Sequence, residues 1–128
     1  MFFDSIMRKE IDMDQLKTMV KMAVDALEDK KGQDIKIINI NQVSVIADYF
    51  IIASGSNTNQ VQAMADNVQE TLYKAGYECR QTEGYQSGNW ILLDYNDIIV
   101  HIFCIEDRLF YDLERIWSDG KLIEKEDL

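Results

Sequence analysis

Two runs of strand-forming residues, Trp90 to Tyr95 and Ile98 to Phe103, are separated by Asn96 and Asp97 alone. So short a connection leaves only a tight antiparallel hairpin, and Asn and Asp tolerate the positive φ that such turns demand. The register follows from the turn. Tyr95 is expected opposite Ile98, Asp94 opposite Ile99, Leu93 opposite Val100, Leu92 opposite His101, Ile91 opposite Ile102 and Trp90 opposite Phe103, because side chains alternate between the faces of a strand. One face, Ile91, Leu93, Tyr95, Ile98, Val100 and Ile102, is nearly all aliphatic and belongs to a core. The other, Trp90, Leu92, Asp94, Ile99, His101 and Phe103, is mostly apolar yet carries a carboxylate and an imidazole. Either a helix covers this second face, or it forms an apolar patch that awaits a partner.

The remaining elements read from periodicity and punctuation. Leu16, Met19, Val20, Ala23, Ala26 and Leu27 recur at three- and four-residue steps, with Asp12 or Asp14 as cap, Lys30-Lys31 in the last turn and Gly32 after it, which predicts a first helix. Ile35 to Asn41 and Ala47 to Ser54 are dense in β-branched and aromatic residues and read as strands. A second helix is expected after Ser56, Asn57 and Thr58, with Val61, Met64, Ala65, Val68, Leu72 and Ala75 on its apolar face and Gly76 as its stop. Glu78 to Glu83 is a weaker strand, and Gly84 to Gly88 a loop. Leu109, Phe110, Leu113, Ile116 and Trp117 then share one helical face, ended by Ser118-Asp119-Gly120. The order is α-β-β-α-β-β-β-α, an α+β fold with a mixed, roughly five-stranded sheet packed with helices. The tail Lys121 to Leu128 either docks or stays loose, and its run Glu124-Lys125-Glu126-Asp127 is expected as solvated surface.

Composition narrows the function. A chain of 128 residues suits one domain with one core. Thirteen basic against 23 acidic residues leave a net charge of −10. That surface repels phosphate backbones, so direct nucleic-acid binding is not expected as a main mode. The longest unbroken apolar run, Tyr49 to Ala53, falls far short of the ~20 residues that cross a bilayer. Residues 1–12 hold Phe2, Phe3, Ile6 and Met7 but are too broken by Asp4 and Ser5 for a signal peptide. Cys79 and Cys104 are the only cysteines and look like small core residues in a reducing, cytoplasmic setting. Met13, Met19 and Met22 read as packing in the first helix.

Catalytic constellations are weak. Zinc normally needs four ligands, and one His with two separated Cys does not supply them; Cys104, three residues after His101, reads as a packed strand end. A triad of Ser54 or Ser56 with His101 and an Asp competes with helix capping by Ser56. Gly55-Ser56 between a strand and a helix resembles the triphosphate turn of nucleotidyltransferases, but no Asp-x-Asp follows on a strand. Asp94 and Asp97, three apart across a turn, are expected to diverge. The residues favour a binding module over an enzyme, and no metal or cofactor is expected.

Several ordered motifs also carry a family resemblance. Ala47-Asp48-Tyr49-Phe50-Ile51-Ile52-Ala53-Ser54-Gly55, then Gln60-Val61 and Ala65-Asp66-Asn67-Val68, the whole hairpin from Trp90 to Phe103, and Arg108 to Trp117 together resemble the ribosomal silencing factor family, also called Iojap-like or RsfS. One departure is Asn96, where the family usually has Gly; Asn accepts positive φ, so the hairpin should survive. The resemblance covers a core of about residues 13–117, with 1–12 and 118–128 as terminal extensions of a single domain, 1–128. It implies a nucleotidyltransferase-like scaffold without catalytic carboxylates. It also implies a protein that grips the basic ribosomal protein number fourteen on the large ribosomal subunit, blocks joining of the small subunit and so represses translation. The expected partner-binding residues are Trp90 as aromatic anchor, Leu92, Ile99 and Phe103 as apolar surround, Asp94 and His101 as polar specificity groups, and Glu83 and Tyr85 at the rim. The alternatives are a large-subunit assembly factor, an enzyme of nucleotidyltransferase type, and a scaffold that forms a homodimer when free.

Overall fold

In a computed structural model, which describes residues 13–41, 47–105 and 121–128, helix α1 (Met13–Asp29) buries Leu16, Met19, Val20, Ala23, Val24, Ala26 and Leu27. These are the residues whose spacing predicts the helix, with Val24 added. Met19 is buried and Met22 half-buried, whereas Met13 points outward. The helix ends in a Schellman motif: Gly32 N–H donates to the Leu27 carbonyl at 2.9 Å and Lys31 N–H to the Glu28 carbonyl at 2.9 Å. The left-handed residue is Lys31, with φ of 64°, and not the expected Gly32. Gly32 answers a different need, since a Cβ there would lie 2.8 Å from the Met64 side chain and 2.9 Å from the Leu27 carbonyl oxygen.

Strands β1 (Gln33–Asn39) and β2 (Tyr49–Gly55) pair antiparallel. Helix α2 (Thr58–Lys74) follows; its N-cap is Asn57, whose side chain accepts from Gln60 N–H at 2.8 Å. Val61, Met64, Ala65, Val68 and Leu72 are buried as expected, while Ala75 is exposed beyond the last turn. A second Schellman motif ends α2, with Gly76 N–H on the Tyr73 carbonyl, Tyr77 N–H on the Leu72 carbonyl, and Gly76 at φ of +97°. Then come β3 (Gln81–Glu83), β4 (Trp90–Asp94) and β5 (Ile98–Cys104).

The hairpin has the register expected of it: Trp90 faces Phe103, Ile91 faces Ile102, Leu92 faces His101, Leu93 faces Val100 and Asp94 faces Ile99. Asn96 takes φ of 72°, the left-handed conformation that the tight turn was expected to demand. Asp97 does not share it; its N–H instead donates to the Tyr95 carbonyl at 2.9 Å.

The sheet is mixed and has six strands in the order β3-β4-β5-β2-β1-β6, where β6 is Lys121–Ile123. One strand, β6, lies beyond the expected five, and β2 takes a place that its own sequence did not name. β2 is inserted beside β5 in parallel, Tyr49 opposite Ile98 through Gly55 opposite Cys104, and so is buried along its whole length. The tail docks: β6 pairs antiparallel with β1, and a short 3₁₀ turn (Lys125–Asp127) follows it. Lys125, expected in solvent, reaches both Asp25 and Glu28 of α1, and together these carboxylates hold its ammonium above the usual lysine range. The expected helix from Leu109 to Trp117 and the cap at Asp12 lie outside the described residues.

Two apolar layers result. The larger joins Ile91, Leu93, Tyr95, Ile98, Val100 and Ile102 to the buried faces of α1 and α2. The smaller lies on the opposite side of the sheet and holds Ile38, Ile40, Ala47, Phe50, Ile52, Ile99 and Phe103, with Trp90 and Leu92 packed against it. Both described helices therefore cover one face, and no described helix covers the other.

Candidate functional site

The face without a described helix carries the hairpin residues singled out from sequence. Ile99, His101 and Phe103 lie in its floor, with His101 4% exposed and Phe103 fully buried. Trp90, Leu92 and Asp94 are half-buried. Position along the sheet explains the split. β5 is internal, with neighbours on both sides, whereas β4 has only the three-residue β3 beyond it. Among the described residues of the hairpin, the half-buried row on this face is thus that of β4, resting on a β5 floor.

An aromatic group organises the floor. Trp90 stacks on Phe103 with ring centroids 5.0 Å apart. Phe50 meets the imidazole of His101 edge-on at 4.7 Å, and His101 lies nearly parallel to Phe103, at 11° and 6.4 Å. Trp90 Nε1–H donates to His101 Nδ1 at 3.1 Å. Indole is a donor only, so Nδ1 is the acceptor and the neutral ring carries its proton on Nε2. Burial pushes the imidazole down to about 4, which keeps it neutral in ordinary buffers. Nε2 is buried without a hydrogen-bond partner among the described residues.

Asp94, expected to give polar specificity, has local work. Its Oδ1 accepts from Asn96 N–H at 2.8 Å, and Arg80 approaches Oδ2 at 3.9 Å while donating to Asn96 Oδ1 at 2.7 Å. Those contacts brace the hairpin turn. Glu83 lies opposite Leu92 and so shares its face at the exposed sheet edge. Tyr85 does not join this face, contrary to expectation: it packs against the helix-side core, and its hydroxyl donates to Asp66 of α2 at 3.0 Å. The loop return at Gly84, with φ of +80°, separates the two residues.

His101 and Cys104 are an odd number of residues apart on β5, and Cys104 packs with the helix-side core, so they lie on opposite faces. The His101 lone pair that a triad base requires is occupied by Trp90. At the Gly55-Ser56 turn, the Ser56 N–H that would cradle a phosphate donates to Oε1 of Gln60. The amide of Gln60 in turn donates to the Lys30 and Lys31 carbonyls at 3.0 and 3.1 Å, so one side chain caps α2 and ties it to the end of α1. Asp94 and Asp97 have different surroundings. Asp94 turns to Asn96, and burial together with Asp48 pushes the Asp97 carboxyl above the usual range.

Sequence reasoning missed Phe50 as a member of the aromatic group, because β2 had no assigned neighbour across which to pair it. Its place in the apolar run from Tyr49 to Ala53 was the available signal.

Comparison with known proteins agrees with this architecture. A Chromobacterium violaceum protein of known crystal structure superposes with a TM-score of 0.78 at 37% identity, covering 79% of this chain and 84% of that one. The ribosomal silencing factor RsfS of Halalkalibacterium halodurans is 36% identical over 84% of this chain and 92% of its own length. A mouse protein named mitochondrial assembly of ribosomal large subunit protein 1 is 29% identical over 77% of this chain and 45% of its own. Residues 13–128 match the family described as ribosomal silencing factor during starvation, so the match runs on through β6. With the sheet, both described helices and the Trp90 hairpin inside that match, the chain belongs to the ribosomal silencing factor family.

Proposed function

We propose that this protein represses translation by docking on the large ribosomal subunit, through the basic ribosomal protein number fourteen, and sterically excluding the small subunit. The observation that carries the reading is the hairpin face: both described helices cover the opposite face, and among the described residues this one holds Trp90 and Leu92 half-buried above an aromatic floor. Aromatic anchors surrounded by apolar side chains supply most of the affinity in protein interfaces. The net charge of −10 supports a basic partner, since opposite potentials speed encounter and set orientation.

The experiment is sedimentation of the protein with isolated small and large subunits, followed by addition of the missing subunit. The expected result is comigration with the large subunit alone, and joining reduced in proportion to occupancy. Absence of comigration at low salt would overturn the reading. The printed name of the mouse relative favours a second one, assistance to large-subunit assembly from the same docking site. Comigration without any effect on joining would favour it.

A further inference from the structure

Resting on that docking face, we propose that His101 is its positioning residue: the imidazole takes the single N–H of Trp90 and holds the indole against Phe103, so that Trp90 meets its partner as an apolar ring. Three observations converge. The hydrogen bond runs diagonally across the hairpin, from Trp90 on β4 to the residue two before its direct partner Phe103; long aromatic side chains reach such diagonal neighbours. The ring of Trp90 is stacked on Phe103 at 5.0 Å, so the bond and the stacking restrain the indole in two directions. His101 itself is immobilised, with Phe50 edge-on at 4.7 Å and only 4% of its surface exposed.

The consequence concerns the partner's chemistry. An indole with a free N–H seeks a carbonyl or carboxylate, and an interface that left it unpaired would suffer the desolvation cost. Here the donor is already satisfied within the chain. Opposite Trp90 the partner therefore offers the indole no hydrogen-bond acceptor and packs on its ring instead, and its polar acceptors lie elsewhere. His101 acts through Trp90 and needs no contact with the partner.

His101 is the only histidine in the chain, which makes the test direct. In the intact ¹⁵N-labelled protein, with Trp90 assigned by comparison with Trp117→Phe, a scalar coupling across the hydrogen bond is expected between the indole nitrogen and imidazole Nδ1. His101→Leu, which keeps the volume but removes the acceptor, is expected to speed exchange of the Trp90 indole proton at least about tenfold and weaken large-subunit binding about tenfold. His101→Asn places a side-chain oxygen near the position of Nδ1 and should restore both to within about threefold. Missing coupling in the intact protein, or equal exchange and binding in the Leu and Asn variants, would overturn the proposal. If the intact chain fails to bind the large subunit, the docking reading falls, while the coupling and exchange still decide the role of His101.

Discussion

Trp90 and His101 sit on neighbouring strands two positions out of direct register, and the indole N–H of one is bonded to Nδ1 of the other at 3.1 Å. The bond demands a neutral imidazole, because protonation of Nδ1 would set two donors against each other. It joins the half-buried row of the sheet face to its buried floor.

Acid should therefore act on His101. In the unfolded chain it titrates near its ordinary value of about 6.5, and in the folded protein only near about 4. Between those values the unfolded state holds more protons, so stability falls as pH drops through the window, by up to about 3 kcal/mol. Urea unfolding at about pH 7 and about pH 4.5 is expected to show the parent losing about 2–3 kcal/mol more than His101→Leu. Equal losses would mean that His101 titrates as it does in water.

Adjacent leucines on β4 should separate folding from binding. Leu93 is fully buried under the helices, whereas Leu92 is half-buried beside Trp90. Leu93→Ala is expected to cost about 2–5 kcal/mol. Leu92→Ala should cost about 1 kcal/mol and weaken large-subunit sedimentation instead, as should Trp90→Ala. The pairing of denaturation with cosedimentation checks both, and wild-type binding by Trp90→Ala would remove this face from the interface.

Gly84 supports the site from behind. At φ of +80° an added Cβ would lie 2.0 Å from the Trp90 carbonyl oxygen, and backbone cannot yield as a flexible side chain does. Gly84→Ala is expected to destabilise by about 3 kcal/mol and shift the Trp90 indole resonance. A variant with unchanged stability and spectrum would contradict the close approach.

The two helix ends form a matched pair. Lys31 holds the left-handed position after α1, and Gly76 holds it after α2 with open space where a Cβ would go. Lys31→Gly is expected to stabilise by about 0.5–1 kcal/mol and Gly76→Ala to destabilise by about 1 kcal/mol, read from thermal or urea midpoints. Both signs follow from the same backbone strain.

Local chemistry made much of this molecule legible in its sequence. The hairpin, its register and its two faces follow from a two-residue turn and a period of two, and both described helices follow from three- and four-residue spacing. The family motifs lie on the same residues. Tertiary structure alone decided the rest. β2 sits parallel to β5 because a strand apolar on both faces needs neighbours and layers that no local pattern names. β6 is three residues long and has no period to read; it exists because β1 would otherwise leave an open edge. The helices chose the Ile91 face, and that choice left Trp90, Leu92 and Asp94 on the half-buried row. Tyr85 went to α2 and Phe50 came to His101 through the same long-range packing. Spacing along one chain determines which side chains share a face, but what lies against that face depends on burial between segments far apart in sequence.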